Sequence, residues 1–266
     1  MTRPLEAISK IVVVKIGGST LGEGDSSIPD IVALQNRGYR PVVVHGGGKV
    51  ISDWVSRLGI MPEFVRGLRR TNKQTLDVAI AVLCGLVNAQ LVAEMVALGG
   101  SAVGLSGVSG GLLKAKIKDP ALGLVGEIVD VDPKTVNEAL GSGHIPVVAP
   151  AALHINPSPD GSDRILNVNA DTSAGHLASA LNASLLVFQT DVEGVFDVNR
   201  RLIPQMTRTQ ALDMVASGVA AGGMIPKIEA CALAAAGASS GHIIDGRVSG
   251  VLLECVKRRP VGTRII

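Results

Sequence analysis

Residues 11–18 read IVVVKIGG, and residues 41–50 read PVVVHGGGKV. Each is a short, β-branched apolar run that stops at glycines, the pattern of a fully buried strand entering a tight turn. The spacing therefore predicts strands over 11–16 and 41–45. Working outward, helical stretches lie between and after them. Residues 27–37 read as a helix, with Ser27 as a possible cap, and 49–58 as a second closed by Gly59. Residues 72–98 form the longest helical stretch, ending at Gly99-Gly100.

The alternation continues to the end of the chain. Strands are expected at 102–105, 145–149, 184–190 and 242–245, with 126–131 as part of a hairpin. Helices are expected at 133–142, 171–181, 209–217, 225–236 and 248–256. The turn formers of 156–163 (NPSPDGSD) mark a surface loop or a lobe boundary. Wholly apolar strands alternating with helices predict an α/β fold, its mainly parallel sheet covered on both faces. Ligands in such folds bind at the carboxyl ends of the strands.

Composition narrows the function. Of 266 residues, 32 are glycine, and the aromatics are only Trp54, Tyr39, Phe64, Phe188 and Phe196. So few aromatic faces exclude a stacking platform for single-stranded nucleic acid. A formal charge of +2 excludes a strongly basic nucleic-acid or membrane-surface binder. The three cysteines are far apart, so neither a disulfide framework nor a zinc site is expected, and a cytoplasmic setting fits. Met1 to Lys10 has no apolar leader pattern. The charge-free runs 95–113 and 172–190 are interrupted by polar or small residues and read as helix followed by strand, so no membrane span is expected.

The usual nucleotide signatures are absent. Gly48-Lys49 is followed by Val50, so there is no P-loop, and no GxGxxG or HExxH occurs. What remains is Gly17-Gly18 and Gly46-Gly47-Gly48, either plain βα turns or backbone cradles for an anion. Lys15, in an otherwise apolar strand, either reaches solvent or faces an anion, since an unpaired buried ammonium is costly. Lys227 falls in a first helical turn, where a cation opposes the helix dipole unless an anion is near. Asp171 follows two asparagines and could be a helix cap or a polar site residue. Arg66, Arg69 and Arg70 form either a solvated loop or a carboxylate fork. His45 beside the triple glycine fits a structural histidine better than a ligand, and Cys84 fits the core.

Taken in order, several stretches resemble the amino acid kinase family. They are VVKIGGS (13–19), VVVHGGGKVI (42–51), VRGLRRT (65–71), LCGLVNAQLV (83–92) and GLVGEIVDVDP (123–133). IPVVAP (145–150), NVNAD (167–171), TDVEGVF (190–196), GGMIPKIEA (222–230) and the ending HIIDGRV with GTRII complete the pattern. The likeness spans essentially the whole chain and is greatest to members acting on N-acetyl-L-glutamate. It implies a single domain with a three-layer α/β/α sandwich and a mainly parallel central sheet. Residues 1–165 would form a substrate lobe and 166–266 an ATP lobe.

The resemblance further implies roles. Lys15 and Lys227 would stabilise the transition state, and Asp171 would orient them. Gly47, Gly48, Arg69 and Asn167 would hold N-acetyl-L-glutamate. Gly17, Gly18, Asp191, Val192, Glu193, Gly194, Val195, Phe196, Val219, Ala220 and Ala221 would serve ATP, which would carry its own Mg2+, with no metal held by the protein. The implied reaction phosphorylates a side-chain carboxylate, a step of arginine biosynthesis. Related possibilities are a kinase for carrier-linked aminoadipate and a silent sensor of ATP or amino acids. Val108-Ser109-Gly110-Gly111, Ser19-Thr20 and Pro150-Ala151-Ala152 depart from the family pattern and bear on acceptor identity. The short stretch before the first strand implies a homodimer without arginine feedback, a regulatory partner staying open.

Overall fold

A computed structural model describes residues 10–17, 26–65, 68–237 and 240–266. Gly18, Ser19, Thr20 and Arg66, singled out above, lie outside the described residues. The two opening runs are strands β1 (Ile11–Ile16) and β2 (Arg40–His45), joined in parallel with Lys15 opposite Val44. Between them runs α1 (Ser27–Asn36). Ser26, not Ser27, stands at its cap position, and no side chain caps it. Helix α2 (Gly48–Arg57) begins at the last residue of the triple glycine. A two-residue hairpin, β3 (Phe64–Val65) and β4 (Leu68–Arg69), leads on to the long helix.

That helix is not uniform. It consists of α3 (Lys73–Ile80), a π-helical segment Ala81–Val87, and α4 (Asn88–Ala97). Asn72 caps it, its side chain accepting from the Thr75 N–H at 2.8 Å. By length and composition it could cross a membrane. Its inward residues Leu76, Ala79, Val82, Leu83, Val87, Leu91 and Met95 instead pack into the core.

Among the strands that the sequence reading lacks are β6 (Leu113–Ile117), β9 (Ala151–His154) and β10 (Ile165–Val168). They close into a four-stranded ring with β7 (Val125–Val131), in the order β10-β7-β6-β9. The turn-rich 156–163 is the loop joining antiparallel β9 and β10. The main sheet also contains β5 (Ala102–Ser106), β8 (Ile145–Ala149), β11 (Leu185–Thr190), β12 (Gln205–Met206), β13 (Ser240–Asp245) and β14 (Thr263–Ile265). Helix α5 (Lys134–Gly141) precedes β8. The C-terminal helices are α6 (Ala170–Ala180), α7 (Arg208–Ala216), α8 (Met224–Ala235) and α9 (Val251–Val256).

The main sheet has eight strands in the order β12-β14-β13-β11-β1-β2-β8-β5, all parallel except the β13–β14 pair. Its two faces carry the two core layers. Val12, Val14, Val187 and Ile244 pack toward α1, the long helix and α9. Val13, Val44, Phe188 and Ile243 pack toward α6, α8 and the four-stranded ring. This is the expected three-layer α/β/α arrangement. Chain order runs outward from β1 through β2 in one direction and from β11 through β13 in the other. The crevice at the carboxyl end of β1 is thus a topological switch point, where such folds bind ligands.

Candidate active site

Lys15 projects from β1 on the same face as Val13, so it meets α6 and α8 rather than water. Its Nζ lies 2.6 Å from Oδ1 of Asp171, while the Lys227 Nζ donates to Oδ2 of the same carboxylate at 2.7 Å. Side-chain exposures are 9% for Lys15, 7% for Asp171 and 17% for Lys227. One carboxylate thus bridges two ammoniums, leaving a local excess of one positive charge. Helices α6 and α8 approach closely enough to permit this. A Cβ on Gly175 would sit 2.8 Å from the Ala230 Cβ, and Asp171 and Lys227 lie one turn before this contact. Asp171 is not the cap of α6; Asn169 is, accepting from the Thr172 N–H at 3.0 Å. Asp171 is therefore free for the lysines.

The electrostatics follow from burial. Desolvation lowers the Lys15 pKa below its usual range, and Asp171 pulls against that fall. Burial pushes the Asp171 carboxyl upward, but the two lysines more than offset it, so its pKa is lowered and it stays ionised at neutral pH. Lys227 also stands 6.0 Å from the centre of the buried Phe188 ring and donates to the Gly223 carbonyl at 3.3 Å. Its place in the first turn of α8 opposes the helix dipole, and Asp171 compensates.

Beside this triad is a cleft of about 240 Å³. Gly47, Gly48, Arg69 and Asn167, the four expected acceptor residues, all line it, together with Asn169 and Ala170. Two helix N-termini, those of α2 and α6, face it, and among the described residues no carboxylate side chain lines it. Such a cleft favours an anion. Arg69 is fixed by Nη2 donating to the Gly48 carbonyl (3.1 Å) and to Ser52 Oγ (2.6 Å). Asn167 Nδ2 reaches the buried Thr71 hydroxyl at 3.4 Å, and that hydroxyl donates to the Arg69 carbonyl. Ser52 and Thr71 were not foreseen, because a single hydroxyl on a helix or a loop has no sequence pattern.

His45 is a satisfied structural histidine. Burial lowers its pKa to about 4, so the ring is neutral. The Asn88 amide donates to its Nε2 at 3.1 Å and to the Val147 carbonyl at 2.8 Å. The ring proton is then on Nδ1, which donates to the Gly46 carbonyl at 3.0 Å. The long helix thereby holds the glycine turn. Cys84, expected in the core, is only partly buried.

The glycines themselves differ. A Cβ at Gly47 would come within 2.7 Å of Leu83 Cδ2, whereas one at Gly48 would meet nothing within 4 Å. Gly48→Val is therefore expected to leave the melting temperature near that of the parent but raise the acceptor KM by about tenfold, the loss of roughly one charged hydrogen bond. Gly47→Ala is expected to destabilise by about 1 kcal/mol through Leu83. Thermal melts and steady-state kinetics on both variants separate the two effects.

The expected nucleotide residues lie outside the lining of this cleft, in the loop after β11 and in the α7–α8 connection. Asp191, Val192, Glu193 and Phe196 are exposed, while Gly194 and Val195 are buried. The Val195 N–H donates to Thr263 Oγ1 at 2.8 Å, and that hydroxyl donates to the Ile203 carbonyl at 2.6 Å, so β14 anchors the loop. Ala220 is buried in the same core layer as Val195, with Val219 and Ala221 exposed beside it. Gly17 follows β1 directly.

The fold brings two lysines, bridged by one carboxylate, to its switch point beside a cleft that favours an anion. The chain belongs to the amino acid kinase family, whose model matches residues 10–245. It is 40% identical over 256 residues to a protein named acetylglutamate kinase from Dehalococcoides mccartyi strain 195, covering 96% of this chain and 94% of that one. It is 42% identical to the acetylglutamate kinase of Methanothrix thermoacetophila, covering 98% and 93%. Among solved structures it resembles smu.665 of Streptococcus mutans UA159, with a TM-score of 0.80, 28% identity and coverage of 97% and 99%.

Proposed function

We propose that the protein transfers the γ-phosphoryl group of ATP to the side-chain carboxylate of N-acetyl-L-glutamate, the second step of arginine biosynthesis. The observation that carries this reading is the Lys15–Asp171–Lys227 bridge at the edge of an anion cleft. Relatives of near-equal length bearing the name acetylglutamate kinase support it.

The chemistry fits these residues. A side-chain carboxylate with a reference pKa near 4.3 is already ionised at neutral pH, so no general base is required. One of its oxygens attacks the γ-phosphorus while the bond to the β–γ bridging oxygen breaks, and ADP departs. The obstacle is repulsion between two anions. Lys15 and Lys227 offset charge on the transferring group, and Asp171 fixes their positions. Gly47, Gly48, Arg69 and Asn167 hold the acceptor. Gly17, Gly18, Asp191 to Phe196 and Val219 to Ala221 serve the nucleotide, so residues 1–165 supply most of the acceptor site and 166–266 most of the ATP site. Asp171 has both oxygens on lysines, and among the described residues no group of three His, Cys, Asp or Glu could hold a metal. In this reading Mg2+ is carried by the nucleotide.

Purified protein with MgATP, offered N-acetyl-L-glutamate, glutamate, aspartate, carbamate and uridylate separately, tests the reading by ADP release. Turnover with N-acetyl-L-glutamate alone is expected. Preference for another acceptor, or no ADP with any, overturns it.

The working form in this reading is a cytoplasmic homodimer. Leu86, Ala89, Ala93 and Val96 expose an apolar stripe on the long helix, opposite its core-facing side. Sedimentation is expected to give twice the chain mass, and Ala93→Glu to give the single-chain mass. A parent protein that sediments as a monomer at micromolar concentration contradicts this.

A further inference from the structure

We infer that Thr71 is a positioning residue of the acceptor cleft, acting through the Asn167 amide. The inference rests on the acceptor reading above and adds a residue to it. Thr71 stands between β4, which carries Arg69, and Asn72, the cap of α3. It is fully buried and does not line the cleft, so it acts on an acceptor only through a neighbour. Its backbone pairs with the segment entering β7. The Thr71 N–H donates to the Leu122 carbonyl at 2.8 Å, and the Thr71 carbonyl accepts from the Leu124 N–H at 2.7 Å. Gly123, at φ 70°, permits this approach, because a Cβ there would lie 2.5 Å from the Thr71 carbonyl oxygen. The same segment also receives Asn167, whose N–H donates to the Leu124 carbonyl at 3.0 Å and which stands opposite Val125 in the β10–β7 register. Two residues 96 positions apart are thus held side by side by one stretch of chain.

The direction of the hydrogen bonds decides what the cleft presents. The Thr71 hydroxyl has one proton, and it goes to the Arg69 carbonyl at 3.1 Å, a group that can only accept. Toward Asn167 the hydroxyl oxygen is therefore an acceptor, and it takes an Nδ2 N–H at 3.4 Å. The amide is oriented as a result. Its nitrogen faces Thr71, and its Oδ1 and second N–H are left for the acceptor molecule in the cleft. A buried hydroxyl whose proton is already spent is what distinguishes the two ends of an otherwise near-symmetric amide. Valine in its place has nearly the same volume but no lone pair, so the amide loses its partner and is free to turn over.

Steady-state kinetics on the full chain test this with Thr71→Val, Thr71→Ser, Asn167→Ala and the Thr71→Val/Asn167→Ala pair. The acceptor is the one the parent turns over in the ADP-release screen. A parent active on another acceptor thus overturns the N-acetyl-L-glutamate reading while this test still runs. Thr71→Val is expected to raise the acceptor KM about tenfold, with kcat and the KM for ATP within about twofold of the parent. Thr71→Ser keeps the hydroxyl and restores the parent KM. In the Asn167→Ala background Thr71→Val adds less than about twofold, because its effect passes through that amide. The proposal falls if Thr71→Val leaves the acceptor KM unchanged, if its loss multiplies in full with that of Asn167→Ala, or if serine fails to restore. Should Thr71→Val not fold, or the parent turn over no acceptor, the side-chain amide of Asn167 decides. Its resonances in isotope-labelled parent protein are assigned with Asn167→Ala. One Nδ2 proton protected from solvent exchange supports the bond to Thr71, and two that exchange alike overturn it.

Discussion

Lys227→Ala lowers turnover by about 10²–10³, the cost of removing one donor aimed at developing transition-state charge. The loss is expected in kcat, with the KM for ATP changing far less, because the ammonium acts where charge accumulates in transfer. The fold is expected to survive, since Asp171 retains Lys15 at 2.6 Å. Lys227→Arg does not restore activity. The Lys227 Nζ is seated between Asp171 Oδ2 and the Gly223 carbonyl, a point site that a broad guanidinium does not fit. Near-normal turnover in Lys227→Ala would remove the residue from the mechanism.

Asp171→Asn is expected to be the most damaging single substitution. It leaves two ammoniums facing each other without a counter-charge, and breaking such a buried pair costs about 3–5 kcal/mol. Activity falls with it, and the remaining activity has a distinctive pH profile. Burial already lowers the Lys15 pKa, and Asp171 is what opposes the fall. Without it Lys15 loses its proton nearer neutrality, so the alkaline limb moves to lower pH. The stability linkage has the opposite sense. The folded-state pKa of Asp171 is depressed, so its contribution is fully present above its unfolded value of 3.8 and is lost as pH falls through the folded value. Denaturant melts of parent and variant from pH 7 downward are expected to converge in acid. A constant gap across that range contradicts the assignment.

Much of this arrangement is legible in the chain itself. IVVVKI and PVVVH declare buried parallel strands because β-branched runs of that length have no other stable use. Their terminal glycines point to the end of the sheet where the site lies. Lys15 and Lys227 stand out because each sits where a cation is unfavourable without an anion. What pairs them is not local. Asp171 is 56 residues from Lys227, and only the crossing of α6 and α8 joins them. Its place in the first turn allowed a cap reading that Asn169 in fact fulfils. Strand β7 was legible as part of a hairpin, but β9 and β10, which close the ring, escaped sequence reading, since such short strands depend on pairing partners distant in the chain. Arg69 was visible, but the Thr71 and Ser52 contacts that aim it were not.

The π-helical segment has a bearing on which length changes the chain tolerates. A widened turn holds more residues than the α-helical path it replaces. Deleting one residue from Ala81–Val87 would let the helix close into regular α geometry, a gain in local hydrogen bonding. Because the wide turn already holds the extra residue, the helix beyond it would largely keep its phase, whereas a deletion within α3 would turn everything beyond it by about 100°. Asn88 would still face His45, and Leu91 and Met95 would stay in the core. The widened turn is thus a slack link. It takes up one residue while α3 and α4 keep one phase.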